Sequence, residues 1–378
     1  MKKTLLALTI LAACGSAHAD VRINGFANLI AGKTSSDGML YGYDDDISLS
    51  PESLFAVQLS GDVNDKLTAT GQLVARGSDD YDVDFEWAYF TYAATDNVSV
   101  SAGRLRLPLF RYSASLDVGY SYHWVAAPQS VYGVPFNNID GVRVDYSNYA
   151  GDWEYNVQVT AGTFENNGYE ITPGTIADIE GNNAIVGSIE ATYEWFKVRA
   201  TAGSAKSSLS IESIDALIGQ LAMISAPLAD KLAFNDDSSA FYGIGVEIDQ
   251  FDWFVSAEWT SIDIEESFNP QDVAYYITAG IRHGKFTPSI TYEKLDGNDD
   301  VKFLSDVAAL PEQVRGPAAM IVGGVQQAVM EETSTVTLGL RYDFDTNVAL
   351  KADISRSTDD IDDDNDTTLV RVAVNYIF

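Results

Sequence analysis

Three arginines, Arg104, Arg106 and Arg111, fall within the fifteen residues SAGRLRLPLFRYSAS (Ser101 to Ser115), and no acid accompanies them. The rest of the chain is strongly acidic, with 55 Asp and Glu against 23 Lys and Arg in 378 residues. A cation cluster in such a chain could bind an anion, line a passage or pair with acids brought from elsewhere. Covalent chemistry has little to work with. A Ser–His hydrolase needs a histidine beside a nucleophile and an acid to orient it. Of the three histidines, His18 lies near the N-terminus, and neither His123 nor His283 sits in such a motif. The aspartate runs at 44–46, 78–80 and 359–366 lack the ligand spacing and glycine of a calcium loop, so no metal site and no cofactor are expected. A nucleic-acid partner is excluded by charge, because phosphate binding needs clustered Lys and Arg.

The N-terminus has the parts of an export signal: Lys2 and Lys3, an apolar run from Leu5 to Ala13, and a small-x-small site before Asp20. Residues 1–19 are therefore expected to be a signal peptide and 20–378 the mature domain. LAAC, ending at Cys14, is a competing lipoprotein signal. Cleavage after Ala19 would leave a mature chain without cysteine, since Cys14 is the only one. No later stretch is long and apolar enough to be a membrane helix.

What positions the arginines must then be strands. Apolar and polar residues alternate from end to end. In DWEYNVQVTAG, Trp153, Tyr155, Val157 and Val159 share one face, and Glu154, Asn156, Gln158 and Thr160 the other. In TTLVRVAVNYIF the pattern runs to Phe378. Sixteen such segments can be counted, at 20–33, 54–63, 66–76, 82–94, 97–107, 140–147, 152–164, 184–195, 196–204, 240–249, 251–262, 273–283, 284–294, 333–344, 347–357 and 367–378. Short connections alternate with long ones, and Trp153, Tyr193, Trp195, Trp253, Trp259, Tyr292, Tyr342 and Tyr376 stand on apolar faces near segment ends. Those features together predict an all-β, antiparallel 16-stranded transmembrane barrel in a Gram-negative outer membrane, with aromatic girdles around a lipid-facing band. Two long links, 210–234 and 303–314, have helix-like spacing broken at Pro227 and Pro311.

The third long link, LPLFRYSASLDVGYSYHWVAAPQSVYGVPFNNI (Leu107 to Ile139), together with GRLRLP, DVGYSYHWV and PQSVYG, resembles the constriction loop of Gram-negative outer-membrane porins of a gammaproteobacterial branch. That resemblance implies a general-diffusion channel for small hydrophilic solutes and ions, an inward-folded third loop at about 107–139, and a homotrimer set in outer-membrane lipid and lipopolysaccharide. In well-studied members the loop is rich in acids; here Asp117 is the only one, beside Arg111 and His123. A substrate-selective outer-membrane channel and a barrel hydrolase remain as alternatives.

Strand parity sorts the charges. Arg22, Arg76, Arg143, Arg341 and Arg371 fall on polar faces, so they join Arg111, Asp117 and His123 as expected pore-lining residues. Arg104 and Arg106 are harder, because simple alternation from Val98 and Val100 puts both toward lipid. A bulge near Gly103 would turn them inward; otherwise they lie at the rim or against a neighbouring subunit. The exported protein should begin at Asp20. Intact-mass measurement of protein extracted from outer membranes checks this, and a mass carrying acyl chains on Cys14 would overturn it.

Overall fold

The computed structural model describes residues 21–35, 38–172 and 175–378. The expected signal peptide and Cys14 lie outside the described residues. Sixteen strands form one closed antiparallel barrel: β1 Val21–Thr34, β2 Leu54–Asn64, β3 Leu67–Arg76, β4 Val83–Ala93, β5 Val98–Arg106, β6 Asn138–Ala150, β7 Trp153–Thr172, β8 Thr175–Tyr193, β9 Phe196–Ile211, β10 Asp237–Asp249, β11 Trp253–Ile264, β12 Asp272–Ile281, β13 Phe286–Gly297, β14 Glu331–Asp345, β15 Val348–Asp359 and β16 Thr367–Ile377. Each strand pairs with its sequence neighbours, and β1 pairs with β16. The seam is hydrogen-bonded down to Phe378, whose N–H and C=O exchange bonds with Gly25 at 3.0 Å.

Alternation produces the two faces of this wall. On β16, Val370, Val372, Val374 and Tyr376 point outward and are exposed, while Leu369, Arg371, Ala373 and Asn375 point inward and are buried. Outward exposure of valine is stable only if lipid covers it. A girdle of exposed aromatics at the short-turn end, including Tyr92, Trp153, Trp195, Trp253, Phe286, Phe344 and Tyr376, marks one interface of that lipid layer.

Three strands are much longer than the alternation foretold. β7 runs on to Thr172, β8 already begins at Thr175 and β9 runs on to Ile211, with register shifts at Gly162/Phe164, Asn166/Tyr169 and Asn182/Ile185. These extensions rise beyond the lipid band, where neither face needs to be apolar, so no period-2 signal accompanies them.

The two helix-bearing links also exceed expectation. The loop between β9 and β10 forms α2 (Glu212–Ile224) and α3 (Ala226–Leu232); that between β13 and β14 forms α4 (Leu304–Ala309) and α5 (Glu312–Gln327). A four-residue helix, α1 (Gln129–Tyr132), precedes them in the third long loop. α5 continues through Pro317 because Ala318, Val322 and Val325 are buried against Ile214, Leu221, Leu228 and Leu232. A hydrogen bond from Lys231 Nζ to Asp306 Oδ1 (2.8 Å) ties the two helical loops together, and Asp306 holds that ammonium above the usual lysine range.

The bulge expected near Gly103 lies one strand away. β3 and β4 shift register between Gln72 and Leu73, which leaves Glu86 as an extra residue in β4, turned to the inside. Gly103 itself has φ of 136°, and a Cβ there would lie 2.3 Å from the carbonyl oxygen of Ala88. Only glycine fits that close approach. Gly103→Val should therefore destabilise the barrel by about 1–3 kcal/mol, the range for a forced backbone conformation. The urea midpoint of the folded-to-unfolded gel shift reads the effect.

Candidate channel constriction

The third long loop, L3, leaves the wall after Arg106 and returns at Asn138. It folds inward because its own apolar residues find apolar wall there. Leu107, Leu109, Phe110, Tyr122, Trp124, Val131 and Tyr132 are buried together with Val186, Phe241 and Tyr276 of β8, β10 and β12. Aromatic edges fix the packing: Phe110 meets Phe241 at 5.6 Å and Trp124 meets Tyr276 at 5.4 Å, both near perpendicular.

Charged wall residues then grip the loop by its backbone. Arg199 of β9 donates to the carbonyl of Pro108 (2.7 Å). Glu258 of β11 accepts from the N–H of Arg111 (2.9 Å) and from the Tyr132 hydroxyl. Arg341 of β14 donates to the carbonyls of Tyr120 and Tyr122, at 2.7 and 2.8 Å. Lys351 of β15 donates to those of Gly119 and Trp124. Glu293 of β13 accepts from the N–H and hydroxyl of Ser130, at 3.0 and 2.9 Å, and from the Tyr41 hydroxyl. Glu258, Glu293 and Lys351 are each at most 4% exposed. A buried charge is tolerated when fixed dipoles replace its water, and the loop backbone supplies them.

At the tip, four charges close a ring. Arg76 of β3 meets Glu86 (2.8 Å) and Asp117 (3.0 Å), and Arg106 meets the other oxygens of the same two carboxylates. Next to it, Asn28 of β1 donates to the carbonyl of Asp117 (2.8 Å), and Val118 packs on Phe26, Ala56 and Val74. Gly119 is pressed so closely to Asn28 and Asn375 that a Cβ would come within 2.4 Å of the Asn375 amide. The first loop also turns in: Tyr43 and Leu40 bury against Ile30, Val125 and Leu369, behind L3.

The match to a known family covers nearly the whole chain. The model of the Gram-negative porin family fits residues 4–376. The chain belongs to the Gram-negative porins. It is an outer-membrane barrel that acts as a channel for passive diffusion. Solved structures agree in fold. An anion-selective porin from Comamonas acidovorans aligns at 11% identity and TM-score 0.61, over 96% of this chain and 100% of its own. The outer-membrane channel DcaP of Acinetobacter baumannii aligns at 13% and 0.58, over 96% and 99%. The trimer form of OmpT from Vibrio cholerae aligns at 12% and 0.51, over 96% and 100%. No curated protein matches the sequence.

Within this porin the arginines of the opening stretch separate. Arg104 stays on the outer face, paired with Asp140. The inward turn expected for it does not occur, because β4 and β5 remain paired up to Ala88 and Arg104. Beyond that point β5 continues against β6 alone, and Arg106 reaches across to Glu86. Arg111 lies inside but only 7% exposed, drawn against Glu247 of β10 and over the ring of Tyr112. Arg371 is buried between Glu52 and Asp353, and Arg341 is bound to the loop backbone, so neither stands free in the lumen. His123 is packed between Trp124 and Phe254, with Nε2 3.1 Å from Thr278 Oγ1. Arg22 pairs with Asp62 near the short-turn end. Arg143 bonds to Asp145 (2.9 Å), which also accepts from Gln158.

Arg199, Glu258, Glu293 and Lys351 also stand on polar faces by parity, but their partners in L3 lie 91 to 232 residues away and leave no local signal of that role. Glu52 and Tyr41 were missed for the same reason. Asp117→Asn should loosen the L3 tip, since Arg76 and Arg106 would then share Glu86 alone. Breaking a buried pair typically costs 3–5 kcal/mol, so single-channel traces should show higher and noisier conductance, with faster cleavage of L3 by added protease.

Proposed function

We propose that solutes cross this porin through the crescent between L3 and the wall from β3 to β9. The observation that carries this is the uneven burial of inward charges. On the L3 side, Glu258, Glu293, Lys351 and Arg371 are sealed. On the other side, Arg76, Arg143, Glu190 and Lys197 keep 20–33% of their side chains exposed. Cations and an anion stand together along that arc, with Asp145 beside Arg143, which orients small polar solutes without holding them. Of the residues first expected at the constriction, Arg76, Asp117 and Arg143 line this passage. Arg106 and Arg111 shape it from behind.

The aspartates of the first, second and last loops, Asp44 to Asp46, Asp79, Asp80 and Asp359 to Asp366, would concentrate cations at the mouth. Outward cations at the loop-side ends of their strands, Lys33, Lys206, Lys294 and Arg356, suit the phosphates of lipopolysaccharide. A homotrimer is the assembly favoured by family membership and by a trimeric neighbour. We assign the protein no catalytic step, no cofactor and no nucleic-acid partner, and we take residues 1–19 as its signal peptide. A more substrate-selective channel is favoured by one feature, the first loop packed behind L3.

Liposomes carrying the purified porin should release neutral sugars at rates that fall steeply with size. Size-independent or absent flux would sink the diffusion reading, and saturable flux of one solute would favour the selective channel. In planar bilayers under a salt gradient, Lys197→Gln should move the reversal potential toward cation preference and Glu190→Gln toward anion preference. No shift in either would remove the proposed crescent.

A further inference from the structure

Four of the six tryptophans, Trp153, Trp195, Trp253 and Trp259, are exposed on the outer wall, and Trp124 is buried in the seat of L3. Trp87 of β4 differs from all of them, because it faces the lumen and stays partly exposed there. The register shift beside Gln72 puts it in that position. Leu73 pairs with the outward Phe85, and Gln72 pairs with Trp87, so the bulge turns two consecutive side chains, Glu86 and Trp87, to the inside. Strict alternation would have left one of them in lipid.

The indole lies flat on the wall. Trp87, Gln72 and Gln58 share one row across β4, β3 and β2. The indole N–H donates to Gln58 Oε1 (3.2 Å), two strands away, and Gln72 between them is only 2% exposed. The ring therefore spans β3 with one face on the wall and the other toward the crescent. It belongs to none of the apolar clusters that seat the loops. Such a face is a flat apolar surface on which a second ring stacks favourably.

The groups around the face are donors. Cζ of Arg106 stands 5.6 Å from the ring centroid, beyond the about 3.5–4 Å of a covering contact. Arg76 holds the same two carboxylates as Arg106, and it does so through Nη2 alone. Its Nε and Nη1 bond to neither carboxylate, and its side chain is 29% exposed. Gln58 uses its carbonyl oxygen for both Trp87 and Gln72, which leaves its amide N–H groups to the lumen. A flat apolar face rimmed by N–H donors matches a planar ring that carries an acceptor, and a guanidinium favours carboxylate among acceptors.

We propose that Trp87 and Arg76 form a subsite in the lumen for a small aromatic carboxylate. The ring of the solute stacks on the indole, and its carboxylate takes the N–H groups of Arg76 that Glu86 and Asp117 leave over. Those two acids hold the guanidinium in place, so little conformational freedom is lost when the solute arrives. The proposal rests on the crescent reading above and adds one point along that path where a solute pauses.

Benzoate is the probe, with acetate as the carboxylate that lacks a ring and benzyl alcohol as the ring that lacks a charge. In planar bilayers holding the purified porin, benzoate should interrupt the potassium chloride current in a saturable, concentration-dependent way. Acetate and benzyl alcohol at the same concentrations should not. Trp87→Leu should raise the half-blocking benzoate concentration about three- to tenfold, the range for loss of one aromatic pair, and Trp87→Phe should keep most of the block. The comparison of three solutes on the parent channel decides the matter even if the leucine variant does not insert. Equal block by acetate or benzyl alcohol, or undiminished benzoate block in Trp87→Leu, overturns the subsite. Absence of benzoate block in a channel whose reversal potential still responds to Lys197→Gln and Glu190→Gln overturns the subsite and leaves the crescent standing. A channel that responds neither to benzoate nor to those substitutions overturns both.

Discussion

Lipid offers no hydrogen bonds, so each strand of the wall must give its backbone amides and carbonyls to two neighbours, and the first strand must find the last. Everything else in this molecule follows from that closure. A closed ring of sixteen strands has one face in lipid and one around water, and every residue is committed to one or the other by its parity. Charges on the strands are thus driven inside, where they are available for use. Arg199, Glu258, Glu293, Arg341 and Lys351 spend that availability on a loop rather than on solvent.

The result is a constriction held by charge against backbone rather than by charge against charge. A carboxylate bonded to an amide, or an ammonium bonded to carbonyls, does not depend on what side chains the loop carries. L3 can therefore vary its sequence at positions such as Ala114 or Ser115, at the free edge, without losing its seat. The charge ring of Arg76, Glu86, Arg106 and Asp117, and the pairing of Arg111 with Glu247 of β10, are the places where the loop contributes charges of its own to the wall. Asp117, the sole acid in L3, is consumed in that ring.

Much of the wall was legible from the sequence. The count of strands, most of their ends and the inward or outward sense of nearly every charge follow from period-2 alternation, because lipid enforces it. Where lipid stops, so did legibility. The tall ends of β7 to β9, water on both sides, read as loop. α5 was cut short at Val314 because Gly316, Pro317, Gly323 and Gly324 mask a helix that only tertiary burial supports. Within the stretch SAGRLRLPLFRYSAS, alternation correctly set Arg104 outside. It could not say that the bulge belonged to Glu86 on the neighbouring strand, since a register shift is a property of two strands and not of one.

The sequence distance spanned by the L3 clamps also bears on how the molecule comes together. L3 follows the fifth strand, yet its grips come from β9, β11, β13, β14 and β15, and Lys351 lies 232 residues after Gly119. Contacts so far apart along the chain form late, because the loop between them must close first. A half-built wall thus has a loose third loop, and the gap narrows to its working width only when the final strands arrive. Closure of the ring and setting of the aperture become the same event, so an incompletely inserted barrel has no defined bore.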